Sequence, residues 1–139
     1  MKIHGILNSQ ISQIVADLGH FQFIVVADPG LPIPAGVRKI DLAVRKGLPS
    51  LMDVVHEITK ELCLEKLIVA DEIFDAAPAL LHELEAVALE QGNVALEHMP
   101  HEAFKALCRD AAAVIRTGEA TPYANVMLVS GVDFARLDD

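Results

Sequence analysis

Apolar positions along the chain alternate between two periods. Ile11, Ile14, Val15 and Leu18 recur at helical spacing. Asn8 or Ser9 stands where a cap is needed, and Gly19 stands where a left-handed turn can end the helix. His20 follows at once. Residues 21–27 (FQFIVVA) are almost unbroken in β-branched and aromatic side chains, the pattern of a strand buried on both faces. That run stops at Asp28, where Pro29-Gly30 forces a turn. Residues 30–36 (GLPIPAG) carry two prolines too close together for a helix and read as an extended loop.

A short strand fits residues 39–44. Residues 50–62 can begin as a strand and continue as a helix; the pattern does not separate the two. Residues 66–70 form a second buried strand ending at Asp71-Glu72. Residues 78–91 form an amphipathic helix, with Leu80, Leu81, Leu84, Val87 and Ala88 on one face and Gly92 as its stop. A short strand at 94–97 and a helix at 101–109 follow. Two more strands at 112–116 and 125–130 are joined by a loop around 118–123. Strands alternating with helices predict an α/β fold. The expectation is a single three-layer α/β/α domain, residues 1–139, with a mainly parallel, mixed central sheet of about six strands. Residues 136–139 are expected to fray.

Composition sharpens this picture. Apolar residues make up 53 % of the 139-residue chain, besides eight glycines, more than an ordinary soluble domain carries. The surplus fits a sheet covered on both faces together with a subunit interface. No apolar run approaches the ~20 residues that span a bilayer, and the N-terminal stretch lacks the apolar core of a signal peptide. Cys63 and Cys108 are too few for a disulfide framework. They read as two buried small hydrophobes in a reducing cytoplasm. The net charge of −9 repels phosphate backbones, which argues against nucleic acid and against strongly phosphorylated ligands.

Ligands in such folds sit outside the carboxyl ends of the strands. Asp28 and Asp71 both occupy such ends and are equal candidates on these grounds. Each also has a structural role open to it: Asp28 as a turn cap, Asp71 with Glu72 as a charge at a helix N-terminus. His20 reads either as a polar group favoured near a helix C-terminus or as a general acid, since imidazole exchanges protons near neutrality. Three His-Glu pairs (His56-Glu57, His82-Glu83, His101-Glu102) lack the second histidine of a zinc-protease motif; Lys60, Ala86 and Lys105 stand there. His98 and His101 are three apart, but Pro100 interrupts and no third histidine is near. His4, His56 and His82 read as surface or interface residues. Phosphate-loop, dinucleotide and nucleophile-elbow patterns are all missing. Acid–base chemistry, or binding alone, remains.

LNSQIS (7–12), LGH (18–20), DPGLPIP (28–34), KIDLAV (39–44), GLPS (47–50), HEAFK (101–105), AVIRTGE (113–119) and TPYANVML (121–128) occur in order along nearly the whole chain. Together they resemble the family of ribose pyranases and fucose mutarotases. GLPIP and TPYAN place the likeness on the ribose side. Pro29 departs from the small residue often found there, and it stiffens the turn after Asp28.

The resemblance implies an isomerase that interconverts the pyranose and furanose forms of free D-ribose. A mutarotase for fucose or another sugar, and a non-catalytic sugar-binding subunit, are the alternatives. It implies His20 as proton donor, and Asp28, His101, Tyr123, Ala124 and Asn125 as sugar-binding residues, with no metal and no cofactor. It further implies a cytoplasmic homo-oligomer, a decamer of two stacked pentameric rings, with the pocket near a subunit boundary.

Overall fold

The computed structural model describes residues 1–134. The tail expected to fray, 136–139, lies outside the described residues.

Asn8 caps helix α1 (Ser9–Asp17) by accepting the Ile11 N–H, and Ile11 and Ile14 face the core. The chain then enters strand β1 (Phe23–Ala27). Gly19 is not the left-handed residue. Leu18 ends the helix in extended conformation, the Gln22 side chain accepts the Gly19 N–H, and Phe21 takes φ 69° instead. Strand β2 (Lys39–Asp41) is shorter than its apolar pattern suggested.

Residues 50–62 contain no strand. Ser50 and Asp53 exchange side-chain and backbone hydrogen bonds in a capping box that starts helix α2 (Leu51–Thr59). Strand β3 (Leu64–Ala70) leads to a one-turn helix α3 (Ile73–Ala76), too short to leave a periodic signature, and then to α4 (Pro78–Glu90). Strand β4 (Ala95–Met99), helix α5 (His101–Leu107) and a 3₁₀ turn (Cys108–Asp110) precede β5 (Ala113–Arg116) and β6 (Val126–Ser130).

The six strands form one mixed sheet in the order β2-β5-β1-β6-β3-β4, with β6 antiparallel to both β1 and β3. Alternate residues of β1 serve opposite faces. Ile24 and Val26 join the larger core under α1, α2 and α4, while Val25 and Ala27 join a smaller one under α5 and Leu31. Both faces are covered, which is why the strand is apolar throughout. The layers are unequal, because α5 and the 30–36 loop cover the second face.

The cysteines differ from expectation. Cys108 is buried as predicted, and its desolvation pushes the thiol up to about 11. Cys63 is exposed just before β3, its side chain turned outward toward the Val132 carbonyl while the flanking Leu62 and Leu64 are buried. Among the described residues no helix is long and apolar enough to cross a membrane.

Candidate active site

The antiparallel placement of β6 builds the site. It sets the residue before β6 beside the residue after β1, at the carboxyl ends of the parallel strands. Those two residues are Asn125 and Asp28. Asn125 is 1 % exposed. Its Oδ1 accepts the Asp28 backbone N–H at 2.9 Å, and its Nδ2 donates to Asp28 Oδ2 at 3.2 Å. The other carboxylate oxygen of Asp28 accepts the N–H groups of Gly30 and Leu31, both at 2.9 Å. Asp28 is thus fixed from two sides, and the turn that Pro29 stiffens leaves Oδ2 with accepting capacity to spare. Arg116 reinforces this turn, donating to the Pro29 carbonyl while it pairs with Asp41. The Ala43 N–H, with Arg116, holds the Asp41 carboxyl below its ordinary range.

A pocket of about 310 Å³ opens over this pair, lined by Asp28, Leu31, His101, Pro122, Tyr123 and Asn125, with Gly30 at its edge. That is room for a small ligand. His101 comes from the first turn of α5, whose backbone N–H at that residue donates to Glu72 at 3.0 Å. Its Nδ1 is buried with no hydrogen-bond partner among the described residues. Tyr123 stands edge-on to the His101 ring, with centroids 5.1 Å apart and planes at 86°. Tyr123 holds φ at 59°. An aromatic residue in the left-handed region costs about 1–2 kcal/mol, so the loop imposes that geometry on it.

Of the residues singled out in the sequence, Asp28, His101, Tyr123 and Asn125 therefore meet around one cavity. Ala124 does not line it; its methyl group is buried in the larger core. Asp71 lies apart, paired with His98 at 2.6 Å. Its side chain caps no helix among the described residues; that of Glu72 does, on α5. Periodicity gives no warning of Leu31 and Pro122, because both sit in irregular loops.

His20 is elsewhere. It precedes β1 where Asp28 follows it, so the two lie at opposite ends of a strand roughly 16 Å long. Its ring stacks on Phe21 at 3.8 Å, its Nε2 lies 3.4 Å from Glu65 Oε2, and its side chain is 40 % exposed. Phe21 is exposed as well and carries the other strained aromatic backbone in this region. Within one chain the proton donor suggested by the sequence cannot reach the Asp28 pocket.

The RbsD / FucU transport protein family matches residues 1–133. The chain is 52 % identical to the D-ribose pyranase of Exiguobacterium sibiricum, over 96 % of this chain and all of that one. The solved structure of Bacillus subtilis RbsD complexed with D-ribose superposes with a TM-score of 0.91 at 49 % identity, covering 96 % of this chain and all of that one. The fucose mutarotase of Streptococcus pneumoniae, in complex with L-fucose, gives a TM-score of 0.72 at 18 % identity over 91 % of this chain and 94 % of its own. That likeness is one of fold alone.

Proposed function

The chain belongs to the RbsD / FucU transport protein family, and on that premise we propose that its activity is that of a D-ribose pyranase, the interconversion of pyranose and furanose rings of free D-ribose. The observation that carries this reading is the pocket of Asp28, His101, Tyr123 and Asn125, in a chain about half identical, end to end, to a protein of that activity. Ribose is favoured over fucose by the gap between 49 % and 18 % identity to the ribose- and fucose-bound structures.

The chemistry moves protons only. The anomeric hydroxyl loses a proton, the ring oxygen gains one, and the C1–O bond of the ring breaks to leave the open aldehyde. After rotation a different hydroxyl adds to the aldehyde and the protons return. Asp28 Oδ2 accepts from a sugar hydroxyl while Gly30, Leu31 and Asn125 hold the carboxylate still. Asn125 acts through Asp28, since both ends of its amide are already engaged there. Tyr123 covers the apolar face of the ring. His101, which lines the cavity, takes a further hydroxyl. His20 protonates the ring oxygen, and it does so from a second copy of the chain.

That last assignment follows from the two ends of the sheet. One end presents the pocket, and the other presents His20 and the exposed Phe21, with the exposed Val132 and Phe134 just after the end of β6, which pairs beside them. Joining unlike surfaces head to tail yields a ring when the rotation between copies closes. We take the working assembly to be a decamer of two stacked pentamers in the cytoplasm, a setting in which the free thiols Cys63 and Cys108 remain reduced.

Proton NMR of equilibrated D-ribose tests the activity. Adding the protein at catalytic concentration is expected to broaden or cross-saturate the pyranose and furanose anomeric signals, with L-fucose affected much less. Unchanged ribose exchange alongside accelerated fucose exchange would reverse the substrate assignment. Saturable ribose binding without any acceleration would leave a binding subunit in its place.

A further inference from the structure

The pocket depends on a loop whose middle has a single anchor. Residues 117–125 connect β5 to β6 and supply Pro122, Tyr123 and Asn125 to the cavity. The two ends of the loop are fixed. Thr117 Oγ1 donates to the Ala27 carbonyl at 2.8 Å, and Asn125 is bound to Asp28. Gly118 packs so closely on the Arg45 and Leu48 carbonyls that a Cβ there would lie 2.3 and 2.4 Å from them. Between Glu119 and Ala124, the hydrogen bond that ties this loop to another part of the chain, among the described residues, is one made by Glu119.

Glu119 is half-buried and uses both carboxylate oxygens. Oε1 accepts the N–H of Leu51, the first residue of α2, at 3.0 Å. Oε2 accepts the backbone N–H of Thr121 at 3.3 Å and its hydroxyl at 2.8 Å. Charge-assisted bonds to a helix N-terminus are among the stronger ones available to a carboxylate. Two residues beyond Thr121, Tyr123 holds its unfavourable φ against His101. Something must hold the backbone in that state, and the tether from α2 through Glu119 to Thr121 is placed to do it.

We propose that Glu119 is a positioning residue for the sugar pocket, fixing Tyr123 against His101 by tying Thr121 to the N-terminus of α2. The proposal rests on reading the pocket as the sugar site, and its test is chosen to separate the two. The chain has one tyrosine and no tryptophan, so emission excited beyond the phenylalanine absorption band reports Tyr123 alone. Acrylamide quenching of that emission in the full chain is expected to rise in Glu119→Ala and Glu119→Gln, and to a smaller degree in Thr121→Val. With ribose, the same variants are expected to raise KM about tenfold while kcat changes much less.

Where Glu119→Ala fails to unfold cooperatively, Glu119→Gln and Thr121→Val decide. Unchanged quenching with unchanged KM in folded variants overturns the proposal. So does a fall in kcat with KM and quenching unaltered. If the unaltered protein shows no ribose exchange, the sugar reading fails, while a rise in quenching still establishes that Glu119 positions Tyr123.

Discussion

Replacing His20 with alanine is expected to lower the enzyme-catalysed ribose exchange rate by about 10²–10⁴-fold, the usual contribution of one positioned acid–base group. The fold should survive. The side chain is 40 % exposed, its pairing with Glu65 is long at 3.4 Å, and its other contact is the stack on Phe21. An exposed pair of this kind is worth at most about 1 kcal/mol, so the thermal midpoint should barely move. His20→Gln keeps much of the shape and hydrogen-bonding capacity without the titrating ring. It should be as inactive as His20→Ala if proton transfer is the role. The measurement is saturation transfer between anomeric signals, together with a melting curve on the same samples. Retention of full exchange by the folded alanine variant would remove His20 from the mechanism.

The second large effect is expected at Asn125, and here activity and stability fall together. Asn125→Ala strips the Asp28 N–H of its acceptor and Asp28 Oδ2 of its donor, in a position 1 % exposed. A buried group left unpaired costs about 1–3 kcal/mol. The Asp28 carboxylate also loses one of its three donors and with it part of its fixed direction toward the sugar. Asn125→Asp should be worse than the alanine change, because it sets a second carboxylate against Asp28 in place of a donor. The thermal midpoint should therefore fall in the order wild type, alanine, aspartate, with ribose exchange reduced in both variants. An aspartate variant as stable and as active as the parent would show that the Asn125 amide does not hold Asp28.

Several of these relations were legible in the residues themselves. The FQFIVVA run announced a doubly covered strand, and Asp28 at its end announced a turn beside a ligand-binding edge. The matching blocks then separated Asp28 from Asp71, which strand-end position alone left equal. Other features were out of reach for physical reasons. Chain order already sets His20 before β1 and Asp28 after it, at opposite strand ends, but one chain's pattern carries no sign of what a second copy brings to either end. Residues 50–62 hid a helix because the capping box of Ser50 and Asp53 is two polar residues among many. Leu31, Pro122 and Glu119 act from irregular loops, where no periodicity exists to mark them. Glu119 in particular gains its Leu51 partner only when α2 and the 117–125 loop meet, 68 residues apart in sequence.

The separation of His20 from Asp28 along β1 makes the account depend on contact between copies. A surface bearing His20 on one copy must meet the pocket of the next, an arrangement in which each site draws on two chains. Mixing two inactive variants tests this directly. His20→Ala and His101→Ala proteins, each inactive alone, are dissociated, combined in equal amounts and reassembled, with mixed oligomers verified by native mass spectrometry. Sites pairing an intact His20 from one variant with an intact pocket from the other should then form at about one in four, and ribose exchange should return to about a quarter of the parent rate. Mixed oligomers that stay as inactive as their parents would contradict an active site shared between chains.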